Sequence, residues 1–348
     1  MKKVIFFFCS DVIGGHEFQS IQLARLISNY REISFCFNNN EQMVMFRRIW
    51  AGSDQVNFVV ARKPFFKKGN FILQLFYGVR NYFYQRELLN SNDAIICAGS
   101  LEASISSNIA LFGKSKKVYV PAFVDRRVLW GNIGVLYNML SIVFILLCKE
   151  IITINRIQAR FFSKYVKTTI IPNKININIE ENQVLTQKRR LYYIGRLEYD
   201  KGILELCKWL DNQENPFEEL IVIGSGSCYQ KLINFSSQTK HINIILTGWI
   251  DNNEQHSLIN SEDVLVFNSL YEGEPLVIRE ANARGNITIV RDIIGVKACT
   301  QKSNRYKDKD ELLSLLKKAW DGHLRVCVNP SEKLIDDLRR NGAEKLFS

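Results

Sequence analysis

Asp263-Val-Leu-Val-Phe-Asn-Ser-Leu-Tyr-Glu-Gly-Glu-Pro-Leu-Val-Ile-Arg-Glu-Ala-Asn-Ala-Arg-Gly285 is the stretch on which the architecture turns. Its first residues, 263–267, read as a short buried strand, and Val277 to Arg284 read as a helix closed by Gly285. Between them lies a loop at the carboxyl end of the strand. Two carboxylates, Glu272 in the loop and Glu280 on the helix, stand eight positions apart, a spacing suited to gripping a polar ligand at two points. Open α/β sheets bind their ligands at that edge, and helix amides pointing into the loop favour an anion. A substrate carrying both phosphate and hydroxyl groups fits best.

The same strand, loop and helix scheme extends in both directions. Upstream, strands are expected at Leu191 to Ile194, Glu219 to Ile223 and Ile242 to Leu246, and downstream at Asn286 to Val290, with helices filling the gaps. The first half shows strand candidates at Val4 to Cys9, Ile33 to Phe37, Val56 to Val60, Ala94 to Ala98, Lys117 to Val120, Ile151 to Asn155 and Thr168 to Ile171. A helix from about Glu17 to Ser28 follows the turn Ile13-Gly14-Gly15. Such alternation predicts two Rossmann-like, doubly wound parallel-sheet domains facing a cleft, where a substrate would sit. The expected division is 1–171, 172–330 and a C-terminal helix over 331–348 that packs back on the first domain. Pro172-Asn173-Lys174 and the polar stretch to Arg190 read as a linker.

A length of 348 residues permits two such domains, and 47% hydrophobic with 23% charged residues is a soluble globular composition. Lys2-Lys3 and the apolar run Val4 to Phe8 mimic a signal peptide, but the run is too short and reads as the first strand. Eight scattered cysteines with no C-x-x-C pair read as reduced packing residues of a cytosolic protein. The net charge of +11 is uneven: residues 1–170 hold 22 Lys and Arg against 10 Asp and Glu, and residues 171–348 hold 24 against 25. The basic half is either a solvated face or a surface that meets an anion.

Gly195-Arg-Leu-Glu-Tyr-Asp-Lys-Gly202 leaves the first strand of the second half and opens a helix near Ile203. It sets Arg196 and Lys201 around a glycine-framed turn, which suits a diphosphate, since Arg can fork onto two oxygens and Lys acts as a mobile point charge. Gly224-Ser-Gly226 closes the next strand and lets it turn tightly.

In order and spacing, Gly195 to Gly202, Gly224-Ser-Gly226, Gly248 and Glu272 to Glu280 resemble the carboxyl-terminal domain of retaining GT-B glycosyltransferases of the family 4 type (glycosyl transferases group 1), from about Pro172 to Val290. That resemblance implies a nucleotide-sugar donor. Arg196 and Lys201 would neutralise its diphosphate, Glu280 would accept hydrogen bonds from the ribose, and Glu272 would hold sugar hydroxyls. Gly273, Glu274, Pro275 and Leu276 would line sugar and phosphate through their backbone. Trp249 and Ile250 fall where the nucleobase would sit, although Trp249 could equally be core. Gly14 and Gly15 stand where the family brings a glycine loop to the donor, with His16 beside them. Many relatives carry a later histidine near the donor sugar; the segment Val118 to Asp125 has none, which leaves His16, Glu102 and Asp125 as candidates near the anomeric carbon. No Asp-x-Asp pair stands in a suitable loop, so transfer without metal or other cofactor is expected.

Val128 to Cys148 approaches the length of a membrane span but reads as a buried or surface-lying helix. Together with the aromatic and cationic run from Phe65 to Tyr84, it points to peripheral attachment at the anionic inner face of the cell membrane, where lipid-linked or oligosaccharide acceptors of surface polysaccharide synthesis would be met. Arg62, Lys63, Lys67 and Lys68 beside Phe65, Phe66 and Phe71 are the expected contacts. No nucleic-acid signature accompanies the run. Rival readings are a nucleotide-sugar epimerase of the same fold and a catalytically silent nucleotide-sugar-binding scaffold at the membrane.

Overall fold

The computed structural model describes residues 3–9, 15–50, 56–61, 71–85, 93–97, 101–111, 116–120, 127–175 and 189–347. They fall into two bodies, Met1–Lys174 with Ser331–Ser348, and Ile175–Pro330.

The first body runs β1 (Lys3–Phe8), α1 (Gly15–Ile27), β2 (Glu32–Phe37), α2 (Asn40–Ile49), β3 (Asn57–Val60), α3 (Phe71–Gln85), β4 (Asp93–Cys97), α4 (Leu101–Ala110), β5 (Lys116–Tyr119), α5 (Arg127–Ile145), β6 (Glu150–Thr153), α6 (Arg156–Phe162) and β7 (Thr168–Ile170). Its strands form one parallel sheet in the order β3-β2-β1-β4-β5-β6-β7. β1 shows why the strands read as continuous apolar runs: both faces of the sheet are covered. Val4, Phe6 and Phe8 enter a core with Ile21 and Ala24 of α1 and Phe46 of α2, while Ile5 and Phe7 enter another with Leu111 and Phe162. Phe8 lies 4.3 Å from Phe46 and Phe35 5.0 Å from Trp50, ring centre to ring centre.

The second body runs β8 (Leu191–Ile194), α7 (Ile203–Leu210), β9 (Glu219–Ile223), α8 (Tyr229–Ser236), β10 (Asn243–Gly248), α9 (Asn252–Leu258), β11 (Val264–Phe267), α10 (Leu276–Ala283), β12 (Ile287–Arg291), β13 (Arg305–Tyr306) and α11 (Lys309–Trp320). Again the sheet is parallel, in the order β10-β9-β8-β11-β12-β13. Leu191, Tyr193, Val264 and Val266 face one core, and Tyr192, Leu265 and Phe267 the other. The two expected doubly wound sheets are therefore present, with strand limits within two residues of the sequence reading. β13 is an addition: two residues are too few to give a periodic signal, and its pairing through Val290–Arg305 and Arg291–Tyr306 holds it in the sheet.

The last helix, α12 (Glu332–Phe347), belongs to the first body. Leu346 enters the α1 core, and Arg339, almost fully buried, donates to the carbonyl oxygens of Pro172 and, at 3.0 Å, Gln22. All eight cysteines are free and buried, and burial pushes the thiols of Cys9 and Cys207 up to about 12. Such thiols are inert packing groups.

Candidate functional site

In the second sheet the strand order reverses between β8 and β11, the place where crossovers leave in opposite directions and a crevice opens at the carboxyl ends. The loops that follow those two strands are Gly195–Gly202 and Ser269–Pro275, so the two segments singled out in the sequence meet there. Their contact is direct. Lys201 Nζ lies 2.7 Å from Glu272 Oε1, and Ser269 Oγ lies 3.0 Å from the same oxygen. The ring of Tyr271 sits 5.7 Å from the Lys201 ammonium. Both side chains are mostly shielded, at 13% and 19% exposure.

Arg196, by contrast, is 69% exposed, with its guanidinium 3.9 Å from Asp200. Asp200 is also 3.9 Å from Lys201. The site thus offers one cation already locked to a carboxylate and one loosely held at its rim.

Backbone proximity holds this arrangement. Gly202 has φ +63, and a Cβ there would fall 2.3 Å from the Asn268 carbonyl oxygen; only glycine permits both the angle and the approach. Asn268, fully buried at the end of β11, donates from Nδ2 to Gly202 O (2.9 Å) and Glu205 Oε2 (3.1 Å) and accepts at Oδ1 from the Tyr306 hydroxyl (2.9 Å). Arg291 closes the set by contacting Glu205 at 2.7 Å. Leu270 N donates to Asp200 O at 2.9 Å, stitching the two loops together. Gly295 contributes differently: a Cβ on it would lie 2.0 Å from the carbonyl oxygen of Glu272.

Gly224 packs against Gly195, since a Cβ there would meet the Gly195 carbonyl at 1.9 Å, and Ser227 donates through its amide to Glu198 at 3.1 Å. Gly224 is thus a spacer that brings the β9 loop onto the first turn.

Glu280 projects from the second turn of α10. Enclosure of its carboxyl raises its pKa from the ordinary value, with Arg284 and then Arg279 pulling the other way. The N-cap of α10 is Pro275, which offers no side-chain cap to the first amides of Leu276 and its neighbours. Glu274 forms a buried pair with Arg279, 3.3 Å apart, and the carbonyl oxygen of Arg279 accepts from Asn329 at 2.7 Å. Gly273 lies in the loop between Glu272 and that pair. Trp249 is 75% exposed and so is not core, whereas Ile250 is half-buried against the core beneath.

In the first body, Gly15 opens α1 and His16 Nδ1 lies 2.8 Å from Glu17 Oε1. Gly14 and Asp125 lie outside the described residues, as does the Glu102 side chain. Among the described residues no group of three His, Cys, Asp or Glu could hold a metal ion. Asn268, Gly295 and Tyr306 were not singled out in the sequence: their partners lie up to 66 residues away along the chain, and no local pattern announces such contacts.

Comparison with known proteins agrees with this fold. Residues 174–304 match the family model of glycosyl transferases group 1. A UDP-Gal:alpha-D-GlcNAc-diphosphoundecaprenol alpha-1,3-galactosyltransferase of Escherichia coli is 30% identical over 202 residues, 53% of this chain and 47% of that one. The chain spans about half or less of the length of the curated relatives it matches. Among solved structures, sucrose-phosphate synthase of Thermosynechococcus elongatus superposes over 100% of this chain and 95% of its own with a TM-score of 0.71 at 13% identity. Anabaena HepE in complex with UDP does so over 100% and 96% with a TM-score of 0.66 at 14% identity. At such identities the likeness is one of fold. Residues 174–304 therefore form a domain of the glycosyl transferases group 1 family, carried on a two-sheet fold of the GT-B type.

Proposed function

We propose that the chain is a glycosyltransferase that moves a sugar from a nucleoside-diphosphate sugar to a hydroxyl of a lipid-linked or glycan acceptor in bacterial surface polysaccharide assembly, such as O-antigen, capsule or lipopolysaccharide. The observation that carries this reading is the 2.7 Å contact of Lys201 with Glu272 at the sheet's switch point, with Arg196 free to swing at the rim. A donor entering there exchanges one carboxylate for a diphosphate as the partner of Lys201. Glu272 is then released toward hydroxyls of the sugar, and Glu280 takes the ribose. The acceptor oxygen attacks the anomeric carbon on the face from which the phosphate oxygen departs, and its proton passes to that oxygen. The C–O bond to phosphate breaks, one to the acceptor forms, and configuration is retained. Lys201 and Arg196 stabilise the charge that grows on the leaving diphosphate. These cations replace a divalent ion, so transfer proceeds in chelator.

Relatives that act on a diphosphoundecaprenol-linked sugar and that bind UDP support the donor and acceptor classes. The surplus of cations in residues 1–170 supports work at the cytoplasmic, anionic face of a membrane.

The test is release of nucleoside diphosphate from a panel of donors, with and without extracted lipid acceptor. Lys201→Ala and Arg196→Ala should each cost at least about a hundredfold in turnover, the scale of losing a charge-stabilising donor in a transition state. Near-normal turnover in both variants would sink the assignment.

A further inference from the structure

After the break at Gly131, which has φ +52, and the exposed Asn132 that follows it, the described outward face of α5 is apolar from Ile133 onward. Ile133, Leu136, Met139, Val143, Leu146 and Leu147, on the helix and the turn that follows it, are all exposed, between 37% and 65%. At the helical repeat they fall within about 140° of the circumference. The inward side holds Gly134 and Asn138, both buried, with Ile142 packing on the sheet core. An ordinary surface helix points its apolar stripe at the core and its polar side at water; α5 carries a second apolar stripe on its exposed side. Patches of this kind mark a surface that something else covers.

Charge says what covers it. From Arg127 to Lys167 the chain holds six Lys and Arg against a single acid, Glu150. Glu150 is buried, its carboxylate taken by the Thr169 hydroxyl and, at 3.6 Å, by Lys167. Lys149, Arg156, Arg160 and Lys164 are exposed, and α6, which carries Arg156 and Arg160, packs through Phe162 into the same core as Ile142 of α5. An apolar stripe thus lies in a segment whose exposed charges are all positive. A soluble protein partner could match the stripe alone, whereas lipid chains with anionic headgroups match both features at once.

We propose that this face of α5 lies in the plane of an anionic bilayer, with its apolar side chains among the acyl chains and the cations of the α5–α6 region at the phosphates. It does not span: among the described residues no helix is long and apolar enough to cross a membrane, and the other side of α5 is packed on its sheet. The inference rests on the proposed membrane association and assigns it to a surface. It is read without donor or acceptor, so its failure leaves the transfer reaction standing. The expected cations Arg62, Lys63, Lys67 and Lys68 lie outside the described residues, as do Phe65, Phe66 and the Phe71 side chain.

The full chain is sedimented with phosphatidylcholine vesicles that contain or lack phosphatidylglycerol. Binding should require phosphatidylglycerol and weaken with salt while leaving a salt-resistant part. Leu136→Gln, Met139→Gln and Val143→Gln together should lower partitioning at least about tenfold, because each puts a carboxamide in place of an apolar group among the acyl chains. Arg160→Gln with Lys164→Gln should lower it at low salt by roughly fivefold per cation. Since the native thiols are all buried, a fluorophore on Met139→Cys reports the stripe even if the triple variant does not fold, and its emission should shift blue on phosphatidylglycerol vesicles. No binding to anionic vesicles, unchanged partitioning of a folded triple variant, or a label that stays in water while the protein is bound would each overturn the proposal. A triple variant that turns a dimer into a monomer with vesicle binding intact would overturn it in favour of a second copy of this chain.

Discussion

Replacing Gly295 by Ala tests whether the Glu272 loop is held in place by a missing side chain. A Cβ on Gly295 would stand 2.0 Å from the Glu272 carbonyl oxygen, 2.6 Å from its carbonyl carbon and 3.1 Å from its Cβ, against 3.4 Å or more for ordinary contact. The two main chains must separate by about 3.4 − 2.0 = 1.4 Å, and neither atom is the tip of a flexible side chain. Carried to the Glu272 carboxylate, that displacement exceeds the slack in a 2.7 Å contact with Lys201 and breaks it or re-aims it. A misplacement of about 1 Å costs roughly a hundredfold in rate, near 2.7 kcal/mol of transition-state stabilisation, and local overpacking removes about 1–3 kcal/mol of stability. The assay is donor turnover at saturating acceptor beside a urea melt. Gly322→Ala is the control: Gly322 has φ +74 and open space around it, so its substitution costs roughly 1 kcal/mol in conformation and leaves turnover alone. If Gly295→Ala keeps turnover within a factor of three and melts like the native chain, the reasoning is wrong.

Other outcomes follow from the same site. Glu280→Gln should weaken binding of nucleoside diphosphate by calorimetry. It should also stabilise the free protein near neutral pH: because the folded carboxyl titrates above its ordinary value, its favourable contribution is complete below the unfolded pKa and is lost as pH rises through the folded one. The stability difference between Glu and Gln must therefore shrink toward acid, and a difference that grows toward acid would contradict the burial argument. Trp249→Ala, at a 75% exposed position, should change stability by no more than about 0.5 kcal/mol yet weaken nucleoside diphosphate by about 1–3 kcal/mol if its ring stacks on the base; unchanged affinity would remove it from the site. Asn268→Ala takes one of two partners from the Tyr306 hydroxyl, which keeps the Phe267 carbonyl, and from the Gly202 carbonyl, which keeps the Leu206 amide, so each lost hydrogen bond should cost about 0.5–1.5 kcal/mol in urea denaturation, and an unchanged melt would show that Asn268 does not hold the two loops together.

Much of this protein was legible in one dimension. β1 shows it: the unbroken run Val4 to Phe8, too short for an export core, reads as a strand covered on both faces, and in the sheet its five apolar side chains point alternately to two cores. Repetition of such runs between helices implied two parallel sheets, and the placing of Arg196, Lys201 and Glu272 after strand ends, with Glu280 on the helix that follows, implied the candidate site. These are local properties, set by side-chain periodicity and by backbone angles that glycine alone adopts freely. Strand order, and with it the adjacency of β8 and β11, is a property of packing: Lys201 and Glu272 are separated by 71 residues and meet because both crossovers diverge at that point. The same holds for Gly295, whose local sequence gives no sign that the Glu272 backbone will press on it. On α5 the sequence showed an apolar segment but not its orientation; only the tertiary structure turned Gly134 and Asn138 inward and left Leu136, Met139 and Val143 outside, since which side of a helix meets the sheet is decided by the sheet.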